Sequence, residues 1–129
     1  MKTLQQSGLF DIQSHTYWSP NFKKEQKKLS AEAYSQFVEQ QLKKSKSILE
    51  QKLDGVVDIL AWPFGIYDGN LEKAAEKAGY VAAFSIDRRH ANVSENIMSQ
   101  PRYLIINGDG VKGFAAIITG RAASRKKLN

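Results

Sequence analysis

Apolar residues follow two different periods along this chain, and the switches between them mark out its elements. Near the start, Leu9, Phe10 and Ile12 predict a short strand ending near Ser14 and His15. No clean period holds from Thr16 to Leu29, and Pro20 lies inside that stretch, so a long loop is expected there. Ser30 then offers an N-cap. After it Tyr34, Phe37, Val38, Leu42, Ser45, Ile48, Leu49 and Leu53 recur at helical spacing, with Gly55 as the stop signal.

Val56 to Trp62 is a run of mostly apolar residues that predicts a buried strand, ended by Pro63 and Gly65. A second helix is expected from an N-cap at Asn70 through Ala74, Ala75 and Ala78, with Gly79 just past its end. Tyr80 to Ile86 predicts another strand. Arg88 to Pro101 predicts a loop with a helical turn at Val93–Met98. Arg102 to Ile106 predicts a fourth strand, and Val111 to Thr119 a last helix bearing Phe114, Ile117 and Ile118. Strands alternating with helices imply parallel pairing, because parallel neighbours need a crossover rather than a tight turn. The fold class expected is therefore α/β, a single domain over residues 1–129 with about four βα units. Four units would leave sheet edges and inner-face residues such as Ile59, Ala83 and Ile105 uncovered, which favours a homo-oligomer that completes the sheet.

Composition narrows the chemistry. The chain has 129 residues, 42% of them hydrophobic, and a formal net charge of +6, which is globular rather than disordered composition. It contains no cysteine, which excludes disulfides, thiolate zinc sites and a cysteine nucleophile. Its two histidines cannot build a three-histidine metal site. No apolar run reaches the roughly 20 residues of a membrane helix, and Met1–Gln6 lacks a signal peptide's apolar segment, so neither membrane nor export is expected and the cytoplasm is the default compartment. The positive charge sits in three clumps: Lys23/Lys24/Lys27/Lys28, Lys43/Lys44/Lys46, and a basic tail over 121–129. Glu32, Glu39 and Glu50 are interspersed with the first two. That pattern reads as a solvated face, and no nucleic-acid partner is expected.

In an α/β fold the chemistry gathers on the loops after the strands. Those loops carry the most unusual sequence of the chain: Ser14-His15-Thr16-Tyr17-Trp18-Ser19-Pro20-Asn21-Phe22, Trp62-Pro63-Phe64-Gly65, and Phe84-Ser85-Ile86-Asp87. Taken in order, with Gly79-Tyr80-Val81-Ala82-Ala83 before the last of them, these segments resemble the polysaccharide deacetylases of carbohydrate esterase family 4. The poly-N-acetylglucosamine deacetylase branch is the most similar. The resemblance runs from about Gly8 to Gly120.

The resemblance implies a partial or distorted (β/α) barrel, the C-terminal part of the family domain, and a carbohydrate polymer of the N-acetylglucosamine type as partner. It implies metal-dependent hydrolysis of an acetamide, with a divalent ion, usually zinc, held by one aspartate and two histidines while a second aspartate takes a proton from water. It also implies an extracytoplasmic setting. His15 matches the first ligand histidine, and Ser19 stands where the second is expected. Trp18, Trp62, Pro63, Phe64 and Gly65 fall on the sugar-binding side, and Asp87 in the region of a later aspartate. Ala61 stands where many members have arginine. Only fourteen residues precede His15, with Asp11 alone among them, so the paired aspartates and the second histidine are missing from the pattern. One ligand of three does not hold zinc tightly, and an incomplete or inactive deacetylase is expected.

The residues also support other readings. His15 can be a hydrogen-bonded structural histidine, Tyr17 and Trp18 can belong to the core, and Pro63-Phe64-Gly65 can be a turn. Arg102 can pair with a carboxylate, His90 can lie on the surface, and Gly108-Asp109-Gly110 can be a turn rather than a phosphate loop. A non-catalytic carbohydrate-binding or assembly module is the alternative function.

Overall fold

The computed structural model describes residues 1–121; the basic tail from residue 122 onward lies outside the described residues. The longest helix is the one the sequence marks most clearly. Counting from the N-terminus, helix α1 spans Lys2–Gln6, α2 Phe22–Lys28 and α3 Ala31–Leu53. Ser30 caps α3, its hydroxyl accepting from the Ala33 amide, and Asp54 in the left-handed region ends it one residue before Gly55. Strand β1 (Ile59–Ala61), helix α4 (Gly69–Lys77) and strand β2 (Ala82–Phe84) form a βαβ unit whose strands pair in parallel. The cap of α4 is Asp68 rather than Asn70, its carboxylate accepting from the Asn70 and Leu71 amides. Helix α5 runs from Gly110 to Ile118.

Among the described residues four parallel segments are present, two of them regular strands. Ser14 bridges to Leu60 on one side of the pair, and Gln100 bridges to Phe84 on the other. The order across the sheet is thus Ser14, β1, β2, Gln100. The expected first strand shrinks to this one residue, and Leu9 and Phe10 are exposed. Gln13 takes over from backbone: its side-chain oxygen accepts from the amides of Asp58 and Ile59, both at 3.0 Å. The expected fourth strand shifts upstream. Gln100 pairs with β2, while Leu104, Ile105 and Ile106 after Pro101 are exposed rather than paired. Residues 16–29 are not all loop either, because Asn21 caps α2 through the Lys24 amide and Phe22 anchors it in the core.

The core lies between the sheet and helices α2, α3 and α4, and contains Phe22, Val38, Leu42, Leu60, Trp62, Leu71 and Met98. A polar cluster sits among these apolar side chains. The Ser14 and Ser45 hydroxyls are 2.7 Å apart, and the Tyr80 hydroxyl lies 2.9 Å from Ser14 and donates to the Leu42 carbonyl at 3.0 Å. Buried hydroxyls are stable only when bonded to one another or to backbone, so this cluster fixes the Ser14 edge against α3. Tyr80→Phe is expected to lower stability by about 1–3 kcal/mol in urea unfolding. It should also speed hydrogen exchange at Ser14 while leaving the amides of α4 unchanged.

Candidate functional site

The loops that follow the four parallel segments emerge at the same end of the sheet, and the candidate residues lie on them. His15 directly follows the bridging Ser14. Its Nδ1 lies 2.7 Å from the Ala61 carbonyl oxygen. A carbonyl can only accept, so Nδ1 carries the hydrogen and the neutral ring presents its lone pair at Nε2. The ring is exposed. This is the orientation in which a histidine serves as a metal ligand, one nitrogen held by the protein and the other open.

After His15 the chain takes an unusual path. Thr16 and Ser19 both adopt positive φ, 65° and 58°, conformations costing roughly 1–2 kcal/mol each for residues with a Cβ. The Thr16 hydroxyl oxygen accepts from the Ser19 amide, and the Trp18 amide donates to the buried Gln41 side chain, both at 3.2 Å. The strained loop is therefore held from within and by α3. It lifts two aromatic rings into solvent, Tyr17 at 47% and Trp18 at 54% exposure. Neither is a core residue. Ser19 uses its hydroxyl on the His15 carbonyl at 3.4 Å.

The second loop separates its residues sharply. Trp62 and Pro63 are fully buried, and the Trp62 indole nitrogen donates to the Met98 carbonyl at 2.8 Å. Trp62 thus has no ring face for a sugar, a correction to the sequence-based expectation, and it serves the core beneath the loop. Pro63, equally covered, opens the turn. Phe64 is forced outward, 64% exposed, with φ at 55°. Gly65 also has positive φ, and a Cβ placed there would lie 2.3 Å from the Ile86 side chain and 3.0 Å from its backbone nitrogen. Only glycine fits this contact between the second and third loops.

The sequence reading missed what else joins those loops. The Tyr67 hydroxyl donates to Asp87 Oδ2 at 2.7 Å, Ser85 donates to the same oxygen at 3.0 Å, and Arg89 lies 3.9 Å from it. Burial, reinforced by the Asp87 carboxylate, pushes the Tyr67 phenol up to about 12. The available signal was Asp87 two residues after a strand-end serine. The Arg102 Nε donates to the Ser85 carbonyl at 2.9 Å, and among the described residues Arg102 forms no ion pair with a carboxylate. His90 lies at the surface, with Nε2 2.8 Å from the Ile117 carbonyl. The segment around Gly108 is a turn, with Asp109 accepting from the Ile106 amide and pairing with Arg88.

The sequence profile for polysaccharide deacetylases matches residues 1–83. The chain belongs to the polysaccharide deacetylase family. Within it, the poly-beta-1,6-N-acetyl-D-glucosamine N-deacetylase of Staphylococcus aureus is 25% identical over 105 residues, covering 81% of this chain but only 36% of that enzyme. A polysaccharide deacetylase from Bacillus cereus superposes with a TM-score of 0.71 at 26% identity, over 91% of this chain and 34% of the other. The Streptococcus pyogenes deacetylase PplD superposes with a TM-score of 0.77 at 20% identity, over 90% of this chain and 47% of the other, a likeness of fold.

A divalent ion of the kind this deacetylase family implies finds an incomplete donor set. Among the described residues, no three His, Cys, Asp or Glu side chains come together as a group able to hold a metal, and a serine hydroxyl at position 19 is a poor substitute for imidazole. The described residues do not fit the ion by themselves.

The Tyr67–Asp87 contact gives a pH signature. Because the folded chain keeps the Tyr67 proton up to about 12, against about 10 for an unfolded tyrosine, its contribution is intact below about pH 10 and is lost as pH rises toward 12. Tyr34, raised to about 12 by burial and by Asp68, adds in the same direction. Urea midpoints should fall across this window. Tyr67→Phe should make the fall shallower while costing about 1 kcal/mol at neutral pH.

Proposed function

We propose that this chain supplies the histidine loop and groove wall of a polysaccharide deacetylase-like (β/α) barrel, and that its described residues engage an N-acetylglucosamine polymer without hydrolysing it on their own. The observation that carries the reading is His15. The Ala61 carbonyl holds its Nδ1 and leaves Nε2 open on the loop that matches the family. The four parallel segments in chain order, open at both edges, support the partial barrel. Trp18 and Phe64 are the rings available to stack on sugar faces, since Trp62 is enclosed. Gly65 and the Tyr67–Asp87 bond hold Phe64 in place from behind.

When bound, the zinc of a complete family site polarises the acetyl carbonyl and lowers the pKa of water. This chain's part is to orient one imidazole. Calorimetry with zinc tests that part. The unmodified chain should bind no tighter than about 10 µM, and Ser19→His should gain about tenfold or more, since imidazole replaces a hydroxyl. The left-handed backbone at 19 is compatible with that change, because histidine is among the residues enriched there. Micromolar or tighter binding by the unmodified chain would overturn the reading of an incomplete donor set, and silence in both would remove His15 as a ligand.

The non-catalytic binding module is favoured by one observation, the exposure of Trp18 and Phe64 where no metal-holding group forms among the described residues. N-acetylglucosamine oligomers should change tryptophan fluorescence whether or not a chelator is present. Trp18→Ala should abolish the change. A response that disappears with chelator would exclude the metal-free module.

A further inference from the structure

The last helix turns apolar residues to solvent as well as to the core. On its inner side Ile117 is buried, Gly113 and Ala116 are half-buried, and the Ile117 carbonyl accepts from His90 Nε2 at 2.8 Å. On its outer side Val111, Phe114 and Ile118 recur at i, i+3 and i+7, which stacks them on one face. They are 85%, 46% and 66% exposed. The segment before the helix is equally bare. Leu104 and Ile106 are exposed and border a hollow of about 340 Å³ with Ile86. Helix α5 then stops sharply. Gly120 takes a φ of 71°, its amide donates to the Ile117 carbonyl at 3.1 Å, and the Arg121 amide reaches back to the Ala116 carbonyl at 2.8 Å, the glycine-ended helix closure.

Charge in this part of the chain has a single sign. From residue 110 to 129 the sequence contains Lys112, Arg121, Arg125, Lys126 and Lys127 and no aspartate or glutamate. The acid just before the helix, Asp109, pairs with Arg88. We propose that the outer face of α5 docks on an anionic lipid bilayer, with Val111, Phe114 and Ile118 entering the acyl boundary and the basic residues meeting the headgroups. The two halves of the pattern select this occupant together. A row of apolar side chains gains by leaving water, and an uncompensated basic segment directly after it gains by meeting anions. A bilayer with acidic lipids offers both at one surface. A second copy of this chain could cover the apolar face, but it would set its own basic segment against the first. A nucleic acid would answer the charge and leave the apolar row in water. Among the described residues no helix is long and apolar enough to cross a membrane, so the nine-residue α5 lies on the bilayer rather than through it. The expectation of no membrane partner rested on the lack of a spanning segment and does not reach a surface contact of this kind. The inference goes beyond the proposed glycan contact and does not depend on it.

Co-sedimentation of the full chain with vesicles tests the inference. The probes are vesicles of phosphatidylcholine alone and of phosphatidylcholine with about 30% phosphatidylserine. The acidic vesicles should bind about tenfold tighter or more, and the advantage should shrink at high salt. Val111→Ser/Ile118→Ser should weaken binding to them about tenfold. Both side chains are exposed, so the urea midpoint should stay where it is. Lys126→Gln/Lys127→Gln should weaken binding by a similar factor of about ten. Binding to neither vesicle, equal binding to both, or binding to the acidic vesicles that survives either pair of substitutions would overturn the proposal. So would a dimer seen by light scattering without lipid that Val111→Ser/Ile118→Ser converts to a monomer, because the face would then belong to a second copy. The glycan contact is read separately, from Trp18 fluorescence, and stands or falls on that measurement alone.

Discussion

A pair of backbone hydrogen bonds at Ser14 sets the position of the whole candidate site: its amide donates to the Ile59 carbonyl at 3.1 Å, and its carbonyl accepts from the Ala61 amide at 2.9 Å. They join a segment with no other regular pairing to the edge of β1. From that anchorage His15 reaches the Ala61 carbonyl, so one short stretch of β1 fixes both the backbone and the imidazole that follows it. The hydroxyls of Ser45 and Tyr80 hold the same residue from the α3 side. A single bridge of this kind is weak in isolation, and Gln13 strengthens it by offering a side-chain carbonyl where a longer strand would offer backbone.

The loops beyond the sheet show the complementary arrangement. Thr16, Ser19 and Phe64 are in the left-handed region, and each lies on a segment that presents an aromatic ring to solvent. Strain of this kind persists only where surrounding contacts determine it. Here those contacts are identifiable: Thr16 to Ser19, Gln41 to Trp18, and Ile86 against Gly65. Rigid exposed rings lose little freedom on meeting a ligand, which makes the distortion intelligible in a protein of this family.

How far the sequence could be read depended on whether the information was local. Helix α3 was legible because its period lies within its own residues and its start and stop signals, Ser30 and Gly55, lie just beside them. The βαβ unit was legible for similar reasons. Helix α2 was not, because six of its seven residues are lysine, glutamate or glutamine around the buried Phe22, and its signal was confined to the Asn21 cap. The fourth segment was displaced because Leu104–Ile106 have strand-like composition but pair with no strand among the described residues, whereas the polar Gln100 pairs with Phe84 and uses its side chain to hold the Asn92–Asn96 backbone. In the site, the ordered segments Ser14-His15-Thr16, Trp62-Pro63-Phe64-Gly65 and Gly79 to Asp87 carried the family resemblance. The tautomer of His15, the enclosure of Trp62 and the link between Tyr67 and Asp87 depend on contacts between distant segments, to which a periodicity is blind.

The neighbouring positions Phe64 and Gly65 face opposite demands, with consequences for how this protein can diverge. At 64 the backbone is fixed but the side chain projects into water, so many side chains that tolerate the left-handed backbone fit, and ring, chain length or polarity can drift. At 65 the space is closed by Ile86, and any added carbon requires the next loop to retreat. Change at this turn is thus channelled through one residue, while its neighbour stays fixed by steric exclusion.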